Sequence, residues 1–245
     1  MKLRGIVLSV FSVIFISLIM LMNGLCTMLT GSAYDDSVKL SNYDPTDMSL
    51  YYAMGEYYPP DDINTLNIDW FGGRVEIIAY DGDSYYVEEA ATRQLREDER
   101  LSYDYKETEF SFFFLGDKDV KITDAYKKLE IRIPRVIANN LKSIHINTDG
   151  EVVLKNLNCE ELKVKSKSGK ITCENVYAVN SEFSSSEGDI QIGIASGVGY
   201  KMDFSTKDGS MTTYIDTKKN SYIVGGGEYS YIVKTDTGNL LVSAI

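Results

Sequence analysis

One glycine motif recurs along the chain at nearly regular intervals. In its later copies the glycines are spaced by 19, 19, 21 and 29 residues, and apolar or thiol side chains mostly follow at the second and fourth positions after each glycine. An earlier, outlying copy has the same pattern. The six repeat glycines are Gly73, Gly150, Gly169, Gly188, Gly209 and Gly238. A period of about 20 residues is typical of stacked repeat proteins, in which each unit buries its apolar face only against its neighbours.

The repeat predicts an all-β fold, a stack of coils like those of a parallel β-helix. Two short strands and one glycine corner fit each coil, and successive coils would stack at about 4.8 Å. The glycine is expected where the backbone needs a positive φ or leaves no room for a Cβ atom. An antiparallel sandwich or meander is the alternative, but such folds do not usually impose one corner sequence on every hairpin.

Ahead of the regular repeats, the chain predicts further strands with less regular connections. Asp81-Gly82 is a turn signal between two β-rich runs. The phenylalanines from Phe110 to Phe114 are interpreted as core or edge packing rather than a ligand platform. The predicted strands are Val75 to Tyr80, Tyr85 to Ala91, Leu101 to Tyr105, Phe110 to Leu115 and Leu129 to Pro134.

The first 33 residues predict an N-terminal membrane segment. Lys2 and Arg4 precede an uncharged run from Gly5 to Met22. A secretory apolar region is usually about 7–15 residues long and a spanning helix needs about 20, so we expect an uncleaved signal anchor. The positive charges place its N-terminus in the cytoplasm and the rest of the chain outside. Cleavage near Ala33 and lipidation at Cys26 are the alternatives.

The remainder of the chain divides by composition into a spacer and a domain. Residues 34–62 are acidic and rich in tyrosine, which favours a juxtamembrane spacer with a short helical turn near Met48 to Met54. Strand alternation begins at Leu66. The β-strand-repeat domain is therefore predicted over residues 63–245.

The repeat also resembles a known family. The pattern (Thr/Ser)-x-(Ser/Asp/Thr)-Gly-x-(Ile/Val/Leu), preceded by Leu-x-Ile-x-Ile-Pro, is similar to the "putative adhesin" β-strand-repeat family, domain of unknown function 4097. The matching segments are Leu66 to Ile78, Leu129 to Pro134 and Ile144 to Val242. The resemblance implies a right-handed, solenoid-like β-helix on bacterial proteins that are secreted or membrane-anchored. It implies no catalytic residues, because none is established for the family.

The residues just before the repeat glycines include three carboxylates, Asp149, Glu187 and Asp208. If coils stacked in chain order, Glu187 and Asp208 would lie about 5 Å apart, the separation that a retaining glycosidase needs. Acidic residues beside a turn glycine are also ordinary turn chemistry. We therefore interpret them as surface carboxylates and expect no enzyme, with a polysaccharide-cleaving β-helix as the alternative.

No other pattern predicts a catalytic, metal or cofactor site. His145 is the single histidine, and its apolar neighbours predict that it points outward from a strand. Cys159 and Cys173 fall in different columns of the repeat, which favours two semi-buried thiols that act as small apolar residues over a disulfide. Neither a phosphate loop nor a calcium-loop spacing is present, although an ion at the acidic corner column stays an alternative.

These features together predict a binding protein of the cell envelope. The net charge of −11 argues against nucleic acid as a partner. We expect contact with the membrane through the N-terminal segment, and with an envelope glycan or a surface protein through exposed polar ladders. The alternative is an envelope-sensing or scaffold subunit of a membrane complex. Candidate ladder residues are Lys163, Lys165, Ser181, Ser184, Ser185 and Ser186, and the last strand, Leu240 to Ile245, is predicted to be an open edge for self-association.

Overall fold

The computed structural model describes residues 51–57 (backbone only), 63–93, 95–114 and 127–245. Their regular secondary structure is almost entirely strand, with one short helix, Arg135–Ala138, and a 3-10 turn at Glu97–Glu99. The strands are β1 Tyr51–Tyr57, β2 Thr65–Trp70, β3 Gly73–Tyr80, β4 Tyr85–Ala91, β5 Leu101–Lys106, β6 Glu109–Phe114, β7 Lys127–Pro134, β8 Leu141–Thr148, β9 Val152–Ser166, β10 Ile171–Ser185, β11 Ile190–Ile194, β12 Tyr200–Thr206, β13 Met211–Thr213, β14 Ser221–Val224, β15 Tyr229–Thr235 and β16 Leu240–Ala244. The all-β prediction is confirmed.

The strands form two sheet faces, here called the front and the back, and the two longest strands, β9 and β10, contribute to both. The first part of β9 pairs with β3 and its second part with β8, and the change falls at Asn156, whose φ is +57°. Asn175 has the same role in β10, with a φ of +53°. The back face has the order β1-β4-β7-β3-β9-β10-β11-β16-β13, and the front face has the order β5-β6-β2-β8-β9-β10-β15-β12-β14. Pairing is parallel through the middle of both faces, as in a β-solenoid.

The repeat glycines lie in one column where the chain turns from the front face to the back face. A Cβ atom built on any of them would come within 1.7 to 2.2 Å of a backbone atom of the residue stacked below it. None of the six has a positive φ. Close backbone approach, and not left-handed geometry, therefore requires glycine at these corners.

The order of coils in the stack differs from their order in the chain. The column runs Lys127, Gly73, Gly150, Gly169, Gly188, Gly238, Gly209. The C-terminal coil of β15 and β16 thus lies between the β10–β11 coil and the β12–β13 coil. The expectation that β16 is the open edge is wrong, because β16 has β11 on one side and β13 on the other. The strands with a single partner at this end are β13 and β14.

The interior of the stack is apolar, as the repeat predicts. Side chains two and four positions after the glycines are almost fully buried, except in the Gly209 copy, where Met211 is half-buried. The buried pairs are Val75/Ile77, Val152/Leu154, Ile171/Cys173, Ile190/Ile192 and Leu240/Val242. Cys159 and Cys173 are both free and buried. Each fully buried Ile, Leu or Val adds about 1.5–3 kcal/mol of favourable transfer free energy, so the ladders supply the main stabilisation.

The N-terminal end of the stack contains the irregular strands. β5 and β6 correspond to two of the predicted strands and form an antiparallel hairpin, with Phe110 and Phe112 in the core and Phe113 partly exposed. A turn follows Tyr80 as predicted, but β4 does not pair with β3; it runs antiparallel between β7 and β1. Residues 51–54 belong to strand β1, so the helical turn expected there is wrong and the sheet begins inside the predicted spacer.

Two predictions for the N-terminal part concern residues outside those described. These are the membrane segment over residues 1–33 and most of the spacer over residues 34–62. Within the described ranges, none of the helices has the length and apolar character needed to cross a bilayer.

A group of buried charges lies at this N-terminal end. The Lys127 ammonium is 2.6 Å from the Glu89 carboxylate and 4.2 Å from the ring centre of Trp70. Lys127 also donates to the Glu99 carbonyl oxygen. Arg93 donates to both carboxylate oxygens of Glu99, at 2.7 and 2.8 Å. Burial lowers the pKa of Lys127, while Glu89 acts in the opposite direction. Each charge thus has an opposite charge beside it, which burial in a dry interior requires.

We expect the stability of the chain to fall in acid because of Glu99. Hydrogen bonds from Arg93 hold the pKa of this buried carboxyl at about 2. Its pKa in the unfolded chain is about 4.3, so the stabilisation is complete above that value and is lost as pH falls towards 2. Glu99→Gln should lower the free energy of unfolding by about 3 kcal/mol at pH 7 and leave it nearly unchanged near pH 2. Urea unfolding across this pH range measures the effect, with exposed Glu187→Gln as the control. Equal pH slopes for wild type and Glu99→Gln would contradict it.

Candidate binding face

Outward-facing side chains of the front face form rows across the strands. Parallel pairing keeps the rows in register, so that each row takes one residue from every coil. The middle row contains Asn67, His145, Lys163, Glu182 and Ile232, and the corner row contains Asp69, Asn147, Lys165, Ser184 and Lys234. Neighbours within a row are about 4.8 Å apart and the rows are about 6.7 Å apart.

A groove lies over the centre of these rows. It has a volume of about 570 Å³ and is lined by residues of β2, β8, β9 and β10, most of which face outward. Small-molecule and glycan-sized ligands commonly occupy sites of about 300–1,000 Å³. Each of the four strands has a partner on both sides, so the floor of the groove is continuous sheet.

Polar contacts organise the groove. The Asn147 amide donates to Asp69 at 2.9 Å, and Lys234 donates to Glu182 at 3.1 Å. Glu161, just beyond the middle row, contacts the Lys163 ammonium and lies 3.4 Å from His145 Nε2. The hydrogen bond from Lys163, and secondarily that from His145, lowers the pKa of Glu161. These contacts hold the side chains in place and leave their outer surfaces to solvent.

The predicted ladder residues divide between the two sides of the sheet. Lys163 and Lys165 are exposed, and the His145 side chain is about two-fifths exposed, as expected for outward positions. Ser184 lines the groove. Ser181 and Ser185 are buried, so the prediction that they belong to an exposed ladder is wrong. Ser185 Oγ instead accepts a hydrogen bond from the Gly188 amide at 2.8 Å.

The carboxylates before the glycines do not form a close pair. The coil of Gly238 lies between those of Gly188 and Gly209, so Glu187 and Asp208 are two strand spacings apart, about 10 Å. The separation of about 5 Å on which the retaining-glycosidase alternative rested is therefore absent. Asp149 accepts a hydrogen bond from the Gly72 amide at 2.7 Å, which is a structural use of the carboxylate.

The described part of the chain brings together no group of three or more His, Cys, Asp or Glu side chains that could hold a metal ion. The other polar surface, on the back face, is occupied by its own ion pairs. Glu130 lies 2.6 Å from Arg132 and 2.5 Å from Lys128, and Glu76 lies 3.1 Å from Arg74. The front-face groove is therefore the better candidate for a ligand.

Two overlapping stretches of the sequence, residues 63–213 and 146–242, match the model of a family described as Toastrack DUF4097. The chain belongs to this family. Membership confirms the resemblance that the glycine repeat predicted.

Comparison with solved structures finds proteins that are similar to this Toastrack chain. A "putative cell adhesion protein" from Clostridium sporogenes ATCC 15579 aligns with a TM-score of 0.61 at 16% identity, over 80% of this chain and 98% of the other, which shows a shared fold. A "putative adhesin" from Bacteroides fragilis NCTC 9343 aligns with a TM-score of 0.35 at 14% identity, over 76% of this chain and 94% of the other. No curated protein matches the sequence.

Sequence reasoning missed several residues of the two front-face rows of the Toastrack domain, namely Asn67, Asp69, Asn147, Glu182 and Lys234. The signal was present in the repeat. In most copies the outward residues stand six and four positions before the glycine. At Gly150 they stand five and three positions before the glycine, because this corner is one residue shorter. One residue separates Thr148 from its glycine, whereas two residues follow the equivalent Ser166 and Ser185. Aligning the copies by these positions predicts both rows.

Proposed function

We propose that this Toastrack protein is a non-catalytic, adhesin-like binder presented at the bacterial cell envelope. The observation that carries the proposal is the front-face groove, a rigid surface on which polar side chains repeat from coil to coil. Such a surface suits a ligand that itself repeats, as an envelope glycan does. The name of the Clostridium sporogenes protein agrees with this adhesin-like character.

The placement of the chain belongs to the same proposal. We infer that residues 1–33 anchor it as a single-pass membrane protein, with the Toastrack domain outside the cytoplasm, because Lys2 and Arg4 precede the uncharged segment. Secretion after cleavage near Ala33 is the alternative. We also propose that the coils are right-handed, since about 98% of crossovers between parallel strands of one sheet have that hand.

A second candidate function is a scaffold or sensing subunit that binds a neighbouring membrane protein. It draws on the apolar run from Gly5 to Met22, which would contact the partner in the bilayer. Replacing residues 1–33 by an unrelated anchor distinguishes the two functions. A binder that uses the groove keeps its ligand after the exchange, whereas a subunit held through the membrane loses its partner. Self-association, where it occurs, is proposed to use the β13 and β14 edges.

Sedimentation with an insoluble bacterial envelope fraction tests the proposed function. The full chain, reconstituted in lipid nanodiscs, is expected to pellet with the fraction and to release no new reducing sugar ends. Ser184→Trp, which fills the groove, should reduce the bound fraction about tenfold. Thr172→Trp is the matched control, since Thr172 is a half-buried residue of the same strand on the back face and should bind like wild type.

Each other outcome of this experiment has a defined meaning. Equal pelleting of Ser184→Trp and wild type would remove the groove from the proposal. New sugar ends in the supernatant would show an enzyme and contradict the non-catalytic function. Wild-type protein that stays in solution would favour the membrane-partner alternative.

A further inference from the structure

A stripe of lysines follows the end of β9 on the front face. Lys163 and Lys165 occupy alternate positions of the strand and point outward, about 6.7 Å apart. Lys167 follows in the corner just beyond the strand, and all three side chains are exposed. In a chain of net charge −11, it is a local concentration of positive charge.

Two of the three ammonium groups have no acidic partner within the described residues. Lys163 contacts Glu161, and the nearby Lys234 is held by Glu182 at 3.1 Å. Lys165 and Lys167 form no ion pair there, although most charged side chains of the back face are paired. An exposed ammonium without a carboxylate beside it can accept an anionic group from a ligand without first giving up a contact.

The neighbours of Lys165 complete a site for a hydroxyl-rich anion. Asn147 and Ser184 flank it in the corner row, on β8 and β10. Asn147 uses one amide hydrogen on Asp69 and retains its carbonyl oxygen, and the Ser184 hydroxyl has no partner within the described residues. The ammonium, the hydroxyl and the amide together offer both donors and acceptors.

The geometry disfavours two other classes of macromolecule. A peptide that binds by strand addition needs a free strand edge, and the four strands of the groove have none. Single-stranded nucleic acid needs a platform of large aromatic rings on which successive bases stack, and the lining residues include no Phe, Tyr or Trp and a single His. Short polar side chains beside lysines suit sugar hydroxyls and oxyanions instead.

We propose that the front-face groove binds an anionic glycan, whose carboxylate or phosphate groups pair with Lys165 and Lys167 while Asn147 and Ser184 hydrogen-bond to sugar hydroxyls. The proposal rests on the proposed function of this face and names the class of its ligand. Carboxylate-bearing and phosphate-bearing glycans offer the same chemistry to the lysines, so the test includes one of each.

Binding of three polymers to the full chain in nanodiscs tests the proposal. Polygalacturonate supplies carboxylates, phosphomannan supplies phosphates and dextran is neutral. At least one anionic polymer should bind, dextran should not, and raising NaCl from about 50 mM to about 500 mM should weaken binding because salt screens exposed charges. The double variant Lys165→Ala/Lys167→Ala should lose about tenfold in affinity.

Two further variants make the test specific. Lys165→Arg/Lys167→Arg keeps both charges and should bind within about threefold of wild type. Lys155→Ala/Lys170→Ala removes two lysines outside the front face, which contact Glu174 at 3.8 Å and Gln191 at 2.9 Å, and should bind like wild type. Stronger binding of one anionic polymer identifies the oxyanion that the groove prefers.

Three outcomes would overturn the proposal. They are equal binding of dextran, failure of both anionic polymers to bind, and an unchanged affinity in the Lys165→Ala/Lys167→Ala variant. If Ser184→Trp still prevents sedimentation with the envelope, the groove remains a binding site and only its ligand class is wrong. If neither Ser184→Trp nor the lysine variant has an effect, the proposed function fails as well.

Discussion

Gly169→Ala is expected to lower the free energy of unfolding by about 3–5 kcal/mol, which is among the largest effects of adding a single methyl group. The new Cβ atom would lie 1.9 Å from the carbonyl carbon and 2.0 Å from the carbonyl oxygen of Gly150. Both are backbone atoms in a stack that continues on each side, so no side-chain rotation relieves the overlap. Urea unfolding followed by circular dichroism measures the change.

Gly193→Ala is the control for this substitution. Gly193 lies in strand β11, and the nearest neighbours of a Cβ atom added there would be two side-chain carbons of Ile245, at 3.1 and 3.4 Å. That side chain can rotate away, so we expect a change below about 1 kcal/mol. Similar losses at Gly169 and Gly193 would show that the glycine column is less crowded than described.

Deleting residues 228–245 is expected to release two coils of the stack and not one. β15 pairs with β10 on one side and with β12 on the other, and β16 lies between β11 and β13 in the same way. Without them, β12 keeps only β14 and β13 has no partner. The amides protected from hydrogen exchange in a chain truncated after Gly227 should therefore be the same as in a chain truncated after Gly197, which lacks β12 to β16 altogether.

The comparison of these two truncated chains is the measurement. If coils stacked in chain order, the chain ending at Gly227 would protect one coil more, over residues 200–213. Protection of these residues in that chain would contradict the stacking order described here. Equal protease-resistant fragments and equal melting temperatures are the expected result, since the added segment has nothing to pair with.

The sequence was sufficient to predict the repeat, the glycine corners and the buried side chains at the second and fourth positions after most of them. It could not predict the order of the last coils. Gly188, Gly209 and Gly238 carry similar motifs, so the local sequence does not distinguish their order in the stack. The choice depends on which chain connections can close, such as the long segment from Tyr214 to Glu228, and no local pattern records it.

The candidate site was predictable only in part for a related reason. Lys163, Lys165 and His145 were identified because strand alternation alone places them outward. Their neighbours Asp69 and Glu182 were missed because a neighbour within a row depends on pairing between strands. Ser185 stands two residues after the core residue Phe183 in β10, so strand alternation places its side chain inward. There its hydroxyl oxygen accepts a hydrogen bond from the Gly188 amide.

The order of the stack also has a consequence for how the chain is made. Synthesis proceeds from the N-terminus, so β12 and β13 emerge from the ribosome before the strands on which they dock. Until residues 228–245 have followed, the edges of β10 and β11 stay open and the segment of β12 to β14 has no place in the stack. Residues 228–245 therefore close this part of the stack, and a nascent chain that has not yet reached them exposes pairing edges that they later cover.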